Sequence, residues 1–223
     1  MKIMIFGASG MVGQGVLREC LLAADVQAVL QVGRSPGAKQ HAKLRELVHP
    51  DLFDLKAVRD RLVGYDACFF CLGVSSAGMS EEDYRRLTFE LTLDIAELLA
   101  ELNPRMVFTY VSGQGTDSTE RGKLMWARVK GKTENKLLRL PFKAAYMFRP
   151  GIIQPLHGAR SKTRSYRLFY LFAAPFLPLA RRFWPDQVLS TEQVGRAMLT
   201  AVRNGAPKKI LETPDIRTLA GGQ

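Results

Sequence analysis

The stretch "KIMIFGASGMVGQG", residues 2–15, decides the fold class of this chain. The four apolar residues after Lys2 have the length and composition of a buried strand. Gly7, Gly10 and Gly13 follow at once, at the point where a helical pattern begins. Glycines at such a junction allow a tight turn and a close approach of the backbone to a pyrophosphate, while the helix N-terminus attracts phosphate. The stretch therefore predicts a dinucleotide-binding loop.

Beyond this loop, apolar runs of strand length alternate with longer segments of helical period, as in repeated βαβ units. The strands are almost wholly apolar, which is typical of a parallel sheet covered by helices on both faces. We predict an α/β fold with a doubly wound parallel sheet, a Rossmann fold, and a small C-terminal substrate region. Strands are expected near residues 2–6, 27–32, 47–49, 66–71, 105–111 and 144–148, and helices over 13–24, 80–102, 130–141 and 190–205.

The size and composition of the chain indicate one domain. With 223 residues, 47% of them hydrophobic, it can bury a full core. We expect a single NAD(P)-binding domain over 1–223, in which 155–190 is a variable region for substrate or association. Glycines interrupt the first apolar run within seven residues, unlike a signal peptide, and three cysteines do not make a disulfide framework. These features favour a cytoplasmic protein.

Charge is unevenly distributed along the chain. The formal net charge is +11, and from Arg121 to Arg182 fifteen Lys and Arg residues accompany a single acid, Glu134. Such a basic region could attract a phosphorylated cofactor or an anionic membrane, or it could be a solvated face; we do not expect nucleic acid as a partner. The three histidines have no second ligand at metal spacing, so we predict no metal site.

The end of the second strand bears on the choice of cofactor. Its sequence is "QVGRSPG", residues 31–37, where an enzyme selective for NAD usually offers an acid to the ribose 2′-hydroxyl. Arg34 and Ser35 occupy this position instead. A guanidinium can pair with a 2′-phosphate through two hydrogen bonds. The residues therefore favour NADP(H) over NAD(H), the alternative being that Arg34 is an ordinary surface arginine.

Seven motifs carry a family resemblance. In order along the chain they are "GASGMVG", "VGRS", "HPDLFD", "FFCLGVSS", "TYVSGQGTD", "WARVKGK" and "FRPGII". With them the chain resembles the short-chain dehydrogenase/reductase superfamily over roughly residues 1–155. It is most similar to the atypical branch with NAD(P)-dependent epimerase/dehydratase-like and Tat-interacting-protein-like members.

The resemblance implies cofactor contacts in several of these motifs. In the glycine loop they are Gly7, Ser9, Gly10, Met11, Val12 and Gly13. Asp51 and Leu52 are expected beside the adenine, Cys71, Leu72 and Gly73 along the ribose, and Pro150, Gly151 and Ile152 at the nicotinamide. Cys68 and Cys71 also form a C-x-x-C pair, but residues three apart in a strand point to opposite faces, which argues against a redox pair.

The resemblance further implies a catalytic group of three residues. In the family a Ser or Thr orients the substrate oxygen, a Tyr transfers the proton, and a Lys four residues later lowers the Tyr pKa and holds the nicotinamide ribose. This sequence has Ser112 and Lys130, but Trp126 replaces the Tyr. A lysine can still donate to a ribose, whereas an indole N–H is a donor that does not ionise as a phenol does.

Three interpretations of this replacement stay open. The protein could be an oxidoreductase or epimerase acting on a small molecule, with its proton supplied by Tyr110, Tyr166, Tyr170, His157 or a water. It could be a non-catalytic NADP(H)-binding sensor or regulatory protein, in which a small molecule is an effector. In the third, the alignment of the loop is wrong and Trp126 is a core residue.

The apolar segment "RLFYLFAAPFLPLARRFW", residues 167–184, is flanked by arginines and contains two prolines. It is too short, and too strongly interrupted, for a transmembrane helix. It could serve as a substrate lid, a homodimer face or a peripheral membrane contact, or it could be a helix pair that covers the core.

Overall fold

The structure, a computed structural model, describes residues 1–160 and 187–221. The strands in this part are β1 (Lys2–Phe6), β2 (Ala28–Gly33), β3 (Leu44–Val48), β4 (Ala67–Phe70), β5 (Val107–Val111), β6 (Ala144–Arg149), β7 (Ile152–Gln154), β8 (Val188–Ser190) and β9 (Ile210–Glu212). The α-helices are α1 (Met11–Leu22), α2 (Glu81–Arg85), α3 (Leu91–Leu102), α4 (Met125–Leu137), α5 (Thr191–Asn204) and α6 (Thr213–Leu219). A 3₁₀ helix covers Lys56–Leu62, and a π-helical turn, Arg86–Glu90, joins α2 to α3.

Seven of the strands form one parallel sheet in the order β3-β2-β1-β4-β5-β6-β9. A second sheet pairs β7 with β8, also in parallel. The strand order reverses at β1: β2 and β3 follow on one side of β1, and β4 pairs with its other side. The predicted doubly wound α/β fold is therefore confirmed.

Alternation along the strands divides the core into two layers. Ile3 and Ile5 of β1 pack with α1 and α5 on one face of the sheet. Met4 and Phe6 pack with α3 on the other face. Burial of both faces explains why the strands have no polar side, since each residue of a covered parallel strand meets apolar neighbours.

Several predicted boundaries were wrong. The third strand begins at Leu44 rather than 47, because its side chains alternate in burial and its register with β2 starts there. The helix predicted over 80–102 is present within those bounds, with the π-helical turn between α2 and α3. Helix α4 begins at Met125 rather than 130, with Leu124 at its N-cap and therefore no capping side chain to signal the start. The short elements β7, β8, β9 and α6 were not predicted.

The last long helix was predicted correctly at both ends. Ser190 caps α5 in a capping box with Gln193, and Gly205 ends the helix with a φ of +77°. Among residues 1–160 and 187–221, no helix has the length and apolar character needed to cross a membrane. The apolar segment 167–184, with Tyr166 and Tyr170, falls outside the described residues.

Candidate functional site

The predicted site residues lie along one edge of the sheet. Because the strands are parallel, their carboxyl ends share this edge, and ligands of such folds bind there, where the strand order reverses. The residues just beyond strands β1 to β6 include Gly7, Arg34, Asp51, Cys71, Ser112 and Pro150.

The glycine loop has the shape of a phosphate cradle. Gly7 has a φ of +80°, and a Cβ there would lie 2.6 Å from the carbonyl carbon of Cys71. A Cβ on Gly13 would lie 2.1 Å from the Gly7 oxygen, so a side chain would force the loop away from α1. Gly10 caps α1 without a side-chain acceptor, which leaves the N–H groups of Met11 and Val12 for a ligand. These residues fit a dinucleotide pyrophosphate.

The turn after β2 presents Arg34 and Ser35 to solvent. The Arg34 side chain forms no hydrogen bond or ion pair within the described ranges. Glu46 of β3, which the sequence reasoning did not consider, holds this turn: its carboxylate accepts from the Gly37 N–H at 2.8 Å and the Gln31 amide at 3.3 Å. Glu46 thereby fixes the turn that exposes Arg34.

Beyond β3, Asp51 and Leu52 differ in their surroundings. Leu52 is buried, whereas Asp51 is exposed and accepts a hydrogen bond from the Phe53 N–H at 2.9 Å. The Arg86 guanidinium lies 5.4 Å from the centre of the Phe53 ring. The assignment of Asp51 and Leu52 to the adenine stays a prediction.

The two cysteines of the C-x-x-C pair belong to opposite layers of the core, as the strand geometry predicted. Cys68 is buried in the layer with α3, and Cys71 packs against the layer with α1. Burial raises the pKa of Cys71 to about 12 and places the pKa values of Cys20 and Cys68 well above their ordinary value. All three are free thiols.

A cavity of about 470 Å³ opens at the ends of β4, β5 and β6. Its lining brings together Ser112, Trp126 and Lys130 with the residues assigned to the nicotinamide. The lining residues are Val74, Ser75, Ser76, Tyr84, Ser112, Gly113, Gln114, Trp126, Lys130, Pro150, Gly151 and Ile152. Since a nicotinamide ring against Pro150–Ile152 would take part of this volume, the remaining space suits a small substrate.

Ser112 is held by a buried ion pair. Its hydroxyl donates to a carboxylate oxygen of Glu134 at 2.5 Å. Glu134 is fully buried and paired with Arg149, whose Nε donates to both carboxylate oxygens at 3.1 Å. Because the hydroxyl hydrogen points to Glu134, the Ser112 oxygen offers lone pairs to the cavity, which complements a substrate that carries its own O–H.

Lys130 lies one turn after Trp126 on α4. Its ammonium donates to the backbone carbonyl of Ser112. Burial lowers the pKa of Lys130 to about 8, although the nearby charge of Glu134 acts in the opposite direction. This ammonium therefore titrates close to physiological pH.

The loop that carries the chain from β5 to α4 is organised around Asp117. Its carboxylate accepts hydrogen bonds from the Thr119 hydroxyl and from the N–H groups of Gly122, Thr119 and Arg121, and these lower the pKa of Asp117 to about 2. A Cβ on Gly131 would lie 1.8 Å from the Asp117 carbonyl oxygen, so α4 packs directly on this loop. The packing fixes α4 relative to Ser112.

Trp126 lies four residues before Lys130 on α4 and lines the cavity. Its six-membered ring lies against Gly115: a Cβ added there would be 3.4 Å from Cη2 of the indole. The residue is half-buried and lines the cavity with Lys130. Trp126 is therefore part of the cavity wall, and its assignment to the family's tyrosine position stays a prediction.

Tyr84 is a phenol in this cavity that the sequence reasoning missed. It is 2% exposed and lies on α2, which an ion pair between Glu81 and Arg128 of α4, 2.7 Å long, fastens beside the site. Glu81 and Tyr84 are three residues apart and so share a face of the helix. No sequence signal marked Tyr84, because its place in the cavity lining depends on how α2 packs against α4.

Two of the earlier proton-donor candidates lie elsewhere. Tyr110 is buried within β5 and is not part of the cavity lining. Burial, with Tyr84 and Glu134 nearby, raises its pKa. His157 lies outside the cavity and contacts Glu192 of α5 at 2.8 Å.

Comparison with known proteins agrees with this fold. The NAD dependent epimerase/dehydratase family matches residues 3–121. The rat protein HTATIP2 is 27% identical over 155 residues, which cover 68% of this chain and 62% of that protein. The mitochondrial protein FMP52 of Debaryomyces hansenii is 24% identical over 166 residues, covering 74% of this chain and 70% of its own length. The aligned part thus spans about three fifths of the rat relative.

A solved structure shows the same fold. The Bordetella bronchiseptica enzyme WbmF, in complex with NAD+, superposes with a TM-score of 0.68 and 17% identity, covering 99% of this chain and 76% of that one. The chain belongs to the NAD dependent epimerase/dehydratase family, an atypical branch of the short-chain dehydrogenase/reductases. This confirms the resemblance found from the motifs.

Proposed function

We propose that this protein is an NADP(H)-dependent oxidoreductase, or an epimerase with the same hydride chemistry, that acts on a small alcohol or carbonyl compound. The observation that carries the proposal is the meeting of Ser112, Lys130 and Tyr84 in the lining of one cavity, with Pro150, Gly151 and Ile152. An orienting hydroxyl, an ammonium and a phenol are the groups that carbonyl reduction requires.

Each residue has a separate role in the proposal. Bound nicotinamide cofactor supplies or accepts the hydride. Ser112 accepts a hydrogen bond from the O–H of the alcohol, as substrate or product, and so orients its oxygen. Lys130 donates to the ribose and adds positive charge. Tyr84 donates the proton to the oxygen as the carbonyl becomes an alcohol, in place of the phenol absent at position 126. Trp126 forms a flat apolar wall for the substrate.

A non-catalytic NADP(H)-binding sensor is the second candidate. It is favoured by Trp126, because an indole at the family's tyrosine position removes the usual proton donor. The two functions differ in turnover. Purified protein titrated with NADPH, then assayed with aldehydes, ketones and quinones, should oxidise NADPH if the first is correct; tight binding without oxidation of NADPH by any of them supports the sensor.

The selectivity for NADP(H) rests on Arg34. We expect Arg34→Ala to weaken NADPH binding about ten- to a hundred-fold, since a charge-assisted hydrogen bond contributes roughly 1.5–3 kcal/mol. NADH binding should change little. Isothermal titration calorimetry on both proteins measures this, with Arg105→Ala, at the opposite edge of the sheet, as the charge-matched control. Equal affinity of the wild type for NADPH and NADH would disprove the preference.

The pKa of Lys130 predicts how cofactor binding depends on pH. The protonated amine is the binding form, and it is lost as pH rises through about 8. The Kd for NADPH should therefore increase above this pH, approaching roughly tenfold per pH unit. Fluorescence titrations between about pH 7 and 9.5 test this. Lys130→Met should bind more weakly and show a flatter profile; an unchanged slope in the variant assigns the titration to another group.

A further inference from the structure

Gln14 connects the glycine loop to a distant part of the chain. It lies in α1 directly after Gly13, and its amide nitrogen donates to the Ser9 carbonyl at 3.0 Å. The same nitrogen donates to the Arg160 carbonyl at 3.1 Å, and the Gln14 amide oxygen accepts from the Arg160 N–H at 3.3 Å. The Gln14 amide therefore forms hydrogen bonds with both the carbonyl and the N–H of Arg160, as the backbone of a paired β-strand would.

A second anchor holds the segment that contains Arg160. The Leu156 N–H donates to the Thr191 hydroxyl at 3.1 Å, and His157 contacts Glu192 at 2.8 Å. Both partners lie at the start of α5, which packs closely on α1. The segment 155–160 thus crosses the first turn of α5 and ends against the first turn of α1.

The Arg160 side chain is available to a ligand. It is exposed, and among residues 1–160 and 187–221 its guanidinium forms no ion pair or hydrogen bond. Only the Gln14 amide separates its backbone from the carbonyl of Ser9. An extended arginine side chain reaches about 7 Å from its Cα, far enough to cover the start of α1. Arginine also matches phosphate geometry through paired hydrogen bonds.

We propose that Arg160 binds the cofactor pyrophosphate from the side opposite the glycine loop, and that Gln14 positions it. The proposal rests on the cofactor site inferred from the family and the glycine loop. It divides phosphate recognition between two arginines: Arg34 contacts the 2′-phosphate, whereas Arg160 contacts the group that NAD and NADP share. Arg160 therefore contributes affinity without selectivity.

Calorimetry with cofactors and their fragments tests this division without any turnover. Arg160→Ala should weaken the binding of NADPH, NADH and ADP by the same factor, about ten- to a hundred-fold. The affinity for 2′-AMP, which has no pyrophosphate, should stay unchanged. Arg34→Ala should weaken 2′-AMP and leave ADP unchanged. Arg105→Ala, with the same loss of charge far from the site, should leave all four ligands unchanged.

The role of Gln14 is tested by combining substitutions. Gln14→Leu should weaken ADP binding nearly as much as Arg160→Ala does. The double variant should bind ADP no more weakly than Arg160→Ala alone, because both substitutions remove the same contact. Thermal unfolding of each variant confirms that it is folded. Additive effects would show that Gln14 does not act through Arg160.

The results distinguish failure of the Arg160 proposal from failure of the proposed oxidoreductase function. Wild-type affinity for ADP in Arg160→Ala, or equal losses for ADP and 2′-AMP, overturns the role of Arg160 while the cofactor site stands. A wild type that binds neither NADPH nor NADH overturns the cofactor site, and Arg160 with it. Binding without turnover contradicts only the oxidoreductase activity.

Discussion

Tyr84→Phe should lower kcat/KM for carbonyl reduction by about 10²–10⁴-fold, the usual contribution of a positioned general acid. The substitution removes only the hydroxyl oxygen of a residue in the cavity lining and keeps its buried ring. NADPH affinity should therefore stay within twofold or so of the wild type, since Lys130 and the glycine loop are untouched. The measurement is initial-rate NADPH oxidation, with cofactor affinity determined separately by fluorescence.

Tyr65→Phe is the matched control for this experiment. Tyr65 lies just before β4, at the opposite edge of the sheet, so loss of its hydroxyl should leave the rate unchanged. If Tyr84→Phe turns over as the wild type does, the proton comes from another group. A fall in rate that is fully explained by weaker NADPH binding would likewise remove Tyr84 from proton transfer.

Trp126→Tyr provides a complementary test, because it places a phenol four residues before Lys130, where the resemblance implies a tyrosine. Ser112 and Lys130 are both present in the same cavity, so the new hydroxyl has its usual partners. Trp126→Tyr alone should turn over faster than the wild type. The double variant Tyr84→Phe with Trp126→Tyr should regain much of the rate that Tyr84→Phe loses. If the wild type is fully active and Trp126→Tyr is slower, the indole itself takes part in the reaction.

Glu134→Ala should destabilise the fold by about 3–5 kcal/mol, because it removes the buried partner of the Arg149 guanidinium and leaves that charge with a partly exposed carboxylate alone. For a chain of this length, that corresponds to a fall in Tm of roughly 6–20 °C. The Arg149 side chain would retain only Glu212, 3.2 Å away and much more exposed, and the Ser118 hydroxyl at 2.5 Å. Thermal or urea unfolding measures the change.

Glu101→Ala is the control, since its ion pair with Arg59, 2.7 Å long, is exposed. Its loss should cost less than about 1 kcal/mol. Replacing both buried partners, as Glu134→Leu with Arg149→Met, should recover much of the stability, because apolar packing substitutes well for a buried ion pair. Equal destabilisation by Glu134→Ala and Glu101→Ala would show that burial of the charge is unimportant.

The fold could be predicted from sequence because its signals are local. Gly7, Gly10 and Gly13 stand at a strand-to-helix junction, and Ser190 and Gly205 mark the ends of one helix. Elements without such signals were given wrong bounds, as α4 was, or were missed, as the short strands were. Helix α4 lacks a capping side chain, and β7, β8 and β9 have only three residues each, too few for a period to show.

The site was predictable only where a motif specifies it. Ser112 and Lys130 were assigned from the family pattern; the structure places both in the lining of one cavity, and their catalytic roles stay predictions. Tyr84, Glu134 and Arg160 take their positions from packing between elements that are far apart in sequence. Nothing in the residues around Tyr84 distinguishes it from an ordinary core aromatic until α2 is placed beside α4.

The protonated state of the three cysteines makes this chain convenient for labelling. Because burial raises its pKa to about 12, Cys71 is protonated at pH 7. Cys20 and Cys68 are fully buried in addition. Maleimide dyes, which attack thiolates, should therefore leave the native chain unmodified and react with a single cysteine introduced at the surface. A fluorophore at an exposed position of the segment 155–160 could then report cofactor arrival directly, with no background from the native thiols.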